Sequence, residues 1–210
     1  MRAPRNCGSW FWDFDGIAAP GLESALATAA SMSEVLGRLE LLTPASLEYR
    51  WYVMDVGAIG VTSTLELPTR LSDPTLAERL RGSRPVAFPE AEIDIVHVVG
   101  SGIWIDAAGK RREEPGLIEL SVSPAPTGLS AELTVHHDIW AWYDFSGRPH
   151  PDVHRRNAPR LATALKELTA VSGVSPELGD PTYFGVATAN GLATPDAYED
   201  GLGPDLTGRL

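Results

Sequence analysis

Cysteine is almost missing from this chain. Cys7 stands alone, so no internal disulfide can form and no thiolate cage can hold a metal. Lysine is nearly as scarce, with Lys110 and Lys166 the only two. Few lysines beside abundant Arg, Ala, Gly and Pro is the coding bias of a high-GC bacterial genome. No eighteen apolar residues follow one another, and Met-Arg-Ala-Pro-Arg-Asn-Cys leads into no secretory apolar stretch. The expected location is cytoplasmic. Familiar chemistry is missing too: there is no phosphate loop, no Gly-x-Ser-x-Gly elbow and no His-Glu-x-x-His. Gly201-Leu202-Gly203 with Gly208 lacks the spacing and preceding strand of a dinucleotide fingerprint. Positive charge is short, 17 Lys and Arg against 28 Asp and Glu, for a net −11 and a pI near 4.8. Such a field repels nucleic acid and anionic membranes and suits a basic protein partner.

What is present is enough apolar material for a core: 210 residues, 43% hydrophobic and 21% charged. Residues 8–16 are aromatic-rich and suggest a short strand. Helical spacing of Leu22, Leu26 and Ala29, then of Val35, Leu36, Leu39 and Leu42, predicts one broken helix or two short ones, with Ser31 and Glu34 as a capping box between them. Leu47, Tyr49, Trp51 and Val53 alternate with Glu48, Arg50 and Tyr52, a half-buried strand, and residues 60–67 supply its partner. Asp73 and Pro74 open a short helix that Gly82 ends.

From residue 91 to residue 139 the pattern predicts an antiparallel meander. Gly100-Ser101-Gly102 reads as a tight turn inside it, residues 107–115 as a loop, and residues 117–123 and 131–139 as strands. Asn157 is the expected cap of the last helix, and Gly173 its stop. The fold class is therefore α+β: an antiparallel sheet of about six or seven strands packed with three to four helices. Residues 1–173 are expected to form a single domain. Residues 174–210 carry six carboxylates against Arg209 and read as an irregular, partly disordered acidic segment, in which residues 183–186 can add a strand.

Four of the five histidines fall between 136 and 154, at the expected junction of a strand end and a helix start. His136 or His137 with Asp138 or Asp144 would make an acid–base pair on a small organic molecule. Trp140, Trp142 and Tyr143 would hold its body and Arg148 or Arg155 its anionic group, with His154 among the binding residues. His150 and His154 have the i, i+4 spacing of a metal pair, but Pro149 and Pro151 argue against a helix there, and no metal or cofactor is expected. The plainer reading makes His137 a core histidine and has the tryptophans close the core. On balance the sequence points to a non-enzymatic binding protein, similar in general character to the immunity proteins that bacteria pair with their own toxins. A small enzyme or ligand-binding protein working at the sheet rim is the alternative.

Overall fold

The computed structural model describes residues 1–67, 70–125 and 128–210. In chain order the elements are β1 (Gly8–Asp13), α1 (Leu22–Arg38), β2 (Thr43–Val53), β3 (Gly57–Glu66), α2 (Leu76–Gly82), β4 (Glu92–Ile105), β5 (Arg111–Pro115), β6 (Glu119–Ser123), β7 (Ser130–Val135), α3 (Pro151–Ser172), β8 (Glu177–Leu178), β9 (Ala187–Thr188) and β10 (Gly191–Leu192). Eight strands form one sheet in the order β3-β2-β4-β6-β7-β1-β8, with β5 also on β4, and their pairings are antiparallel. β9 and β10 make a separate hairpin. The fold is α+β, and the meander expected over residues 91–139 is its centre.

The five central strands β2, β4, β6, β7 and β1 turn one row of side chains inward. Leu47 pairs with Val98, Val98 with Leu120, Leu120 with Leu133, and Leu133 with Trp10, giving an apolar ladder across five strands. Helix α1 lays Leu22, Ala25, Leu26, Ala29, Met32, Val35 and Leu36 on that face, and α3 adds Leu161, Ala164, Leu165 and Leu168. Both helices lie on the same side. Among the described residues, no helix is long and apolar enough to cross a membrane.

Several expectations need correcting. α1 is one unbroken helix, because its apolar stripe continues past Ser31 without a Gly or Pro to end it. Gly100 and Gly102 make no turn; β4 runs straight through them for 14 residues. A Cβ on Gly100 would lie 2.1 Å from the Thr43 carbonyl oxygen, and one on Gly102 would lie 2.2 Å from that of Leu41. The glycines are there for close backbone approach. The 107–115 loop contains β5, paired with Ser101–Ile105. Its Arg-Arg-Glu-Glu sequence shows no apolar alternation because β5 is mostly exposed. β7 ends at Val135 rather than at 139, since Ala3 takes up the His136 carbonyl and a 3-10 turn begins at Asp138. Residues 183–186 form no strand; the short strands of that region are β8, β9 and β10.

The largest shift is at α3, which starts at Pro151, well before the expected cap. Pro151 takes a first-turn position, where its missing N–H costs nothing. Asn157 is then inside the helix and fully buried. Its amide donates to the carbonyls of Ile105 and Val153, at 2.8 Å each, and its Oδ1 accepts the Ile105 N–H at 2.9 Å. Gly173 ends the helix as expected, in the left-handed conformation.

Candidate functional site

The 136–160 window is divided among separate environments. His136 follows β7 and places Nε2 3.2 Å from Glu119 Oε2, and Arg2 bonds the other oxygen of the same carboxylate. The His136 hydrogen bond, helped by Arg2 and opposed by partial burial, holds Glu119 down at about 2. His137 is buried 3.5 Å from Glu114, and among the described residues neither ring nitrogen has a hydrogen-bond partner. Burial lowers its pKa, against the pull of Glu114.

Asp138, 4% exposed, accepts the Met1 ammonium at 2.6 Å and the Phe145 N–H at 3.3 Å. Asp144 organises a turn: its Oδ1 accepts Ser146 N–H and O–H and the Arg148 N–H, at 2.6–3.0 Å. Burial pushes Asp144 up, but those hydrogen bonds and nearby His150 outweigh it and leave the carboxyl below its ordinary value. His136, His137, Asp138 and Asp144 thus sit in four different contact sets. Among the described residues, no group of three or more His, Cys, Asp or Glu could hold a metal ion.

The binding candidates fare differently. Trp140, Trp142, His154 and Arg155 line one groove of about 590 Å³ between the 3-10 turn, the start of α3 and the β9–β10 hairpin. Trp140 is buried in its floor, and Trp142, 36% exposed, meets His154 edge-on at 5.5 Å. α3 starting at Pro151 is what brings His154 and Arg155 there. Tyr143 lies apart, buried against Gly203, where a Cβ would come within 2.5 Å of its ring. The Arg148 backbone N–H closes the Asp144 turn.

Sequence reasoning missed the other face of the sheet. Opposite the apolar ladder, the register aligns Thr64, Glu48, His97, Ser121, Glu132, Phe11 and Glu177 in one row across seven strands. Among the described residues no helix packs on it, and Phe11 remains 37% exposed. A neighbouring row carries Glu66, Val99 and Glu119 beside Ser46 and Thr134. Alternation within each strand signalled the outward residues, but only cross-strand register assembles them into a surface. No known protein family matches this chain, and comparison with curated proteins and with solved structures finds none similar.

Proposed function

We propose that this chain is a non-catalytic bacterial binding protein, acting in the cytoplasm, whose open sheet face docks a basic protein in the manner of an immunity-type inhibitor. The observation that carries the reading is the cross-strand row in which Glu48, Glu132 and Glu177 flank His97 and Phe11. Arg50, which follows Glu48 two residues on along β2 and shares that face, is already paired with Asp94 at 3.3 Å. A cationic surface meeting this face gains charge complementarity, which mainly speeds and selects association, while Phe11 offers apolar contact between Glu132 and Glu177 near the β8 edge. In this reading residues 1–173 supply the domain, and the acidic segment 174–210 contributes Glu177. The enzyme alternative has less support, because its four groups are held in separate contacts.

The test is stopped-flow association with a basic secreted protein encoded beside this chain's gene. A Glu48→Gln, Glu132→Gln, Glu177→Gln triple variant is expected to associate about tenfold more slowly at low salt, with a shallower salt dependence. Equal rates for the variant and the natural protein would overturn the sheet-face reading.

A further inference from the structure

A second site lies on the helix side of the molecule, away from the acidic face and independent of the partner reading. We propose that the groove between Trp142 and the first turns of α3 binds a small planar aromatic anion, with the ring laid against Trp142 and the charge met by Arg155.

Its volume, about 590 Å³, is in the range of small-molecule sites. The walls are apolar: Pro151, Ala158, Pro159 and Leu161 of α3 line it together with Leu192 of β10. The chain has 28 acidic residues, yet among the described residues no carboxylate side chain lines this groove, and Arg155 is its one charged lining residue. With no carboxylate in the lining itself, the Arg155 guanidinium is the charged group a ligand in the groove would meet, which favours an anion. Arg155 is held in place by Asp152, at 2.6 Å, which engages one of its five N–H donors and leaves others for an incoming carboxylate or phosphate.

Aromatic rather than aliphatic character follows from the floor and wall. Trp142 presents a partly exposed ring whose orientation is fixed by the edge-on contact with His154. Two tryptophans and an imidazole around one slot favour a flat, polarisable guest. Among the described residues the buried Trp140 indole N–H meets no acceptor, an unmet donor beside the same groove. Burial and neighbouring His150 both lower the His154 pKa, so near neutral pH it serves as an uncharged wall and the anion depends on Arg155.

The probes are 2-naphthoate and its neutral counterpart 2-naphthylmethanol, titrated into the full chain by calorimetry. Saturable naphthoate binding is expected, about tenfold tighter than the alcohol, the difference one charge-assisted hydrogen bond makes. Arg155→Gln should abolish that preference while keeping alcohol binding, and Trp142→Ala should weaken both probes. Arg155 is 70% exposed, so its replacement leaves folding intact and keeps the test decisive if Trp142→Ala is unstable. Naphthoate that fails to saturate, or an Arg155→Gln variant that keeps the full preference, would overturn the proposal. The triple sheet-face variant should bind naphthoate unchanged, so the two sites fail or stand separately.

Discussion

Asn157 shows how much one side chain can hold. Its amide satisfies both backbone groups of Ile105 at the end of β4, with no solvent to replace it. Asn157→Ala would strand a buried N–H and a buried carbonyl, and the expected loss is about 2–4 kcal/mol, read by urea denaturation. A loss under about 0.5 kcal/mol would contradict that role. Cys7 is fully buried, and desolvation first, then the Asp138 charge, push its thiol up to about 12. It should resist a thiol-reactive dye in the native protein and label fully in guanidinium; rapid native labelling would refute its burial.

Titration has a direction as well. His97, His137 and His154 all have pKa values lowered mainly by burial. The unfolded chain therefore takes up protons first, and stability falls as pH drops below about 6.5. Glu119 works further down: with its folded pKa at about 2, its contribution is present above about 4.5 and disappears as pH falls towards 2. Urea midpoints measured from pH 7 to pH 2 should decline in both windows. Glu119→Gln should reduce the decline only in the lower one, where Glu23 and other paired carboxylates also titrate, and an unchanged slope there would contradict the His136–Glu119–Arg2 contact.

At the scale of elements, β4 is organised by what it lacks. Gly100 and Gly102 let residues 41–43 cross within van der Waals range of the strand backbone. Alanine at either would meet a carbonyl oxygen rather than a flexible side chain, and about 1–3 kcal/mol of destabilisation is expected. Gly82, the last residue of α2, has open space within 4 Å of where an alanine methyl would sit, so Gly82→Ala should be neutral or stabilising by up to about 1 kcal/mol. Thermal melts of the three variants would show the contrast, and a tolerated Gly102→Ala would disprove the close approach. The two glycines also mark a limit of sequence reading. Gly-Ser-Gly between apolar runs is a turn signal by local chemistry, and the backbone that crowds it comes from a distant part of the chain, residues 41–43. At Asp94 β4 carries one extra residue opposite Arg50 and Trp51, so Ile93 faces inward while Ile95 and His97 face out and Val96 and Val98 face in. In sequence those valines look like a second covered face.

At the scale of the molecule, one sheet divides two unlike surfaces. The inner face is closed by α1 and α3; the outer face is open and acidic, while the groove beside α3 is the place where positive charge borders apolar walls. By itself the sequence determined the α+β class, the meander, the apolar stripes and the net charge of −11, since periodicity, turn residues and composition act locally or sum without regard to geometry. Trp140, Trp142, His154 and Arg155 lie close along the chain, but their common groove depends on α3 starting at Pro151 and on the distant β9–β10 hairpin, which the sequence did not show. Asp144 is taken up by a local turn with Ser146 and Arg148, whereas tertiary structure alone decided that His136, His137 and Asp138 would be drawn into separate contacts, because their partners (Glu119, Glu114 and Met1) reach them through sheet pairing and chain crossing. It also aligned Glu48, Glu132, Phe11 and Glu177, residues from four strands whose common row exists only once register is set.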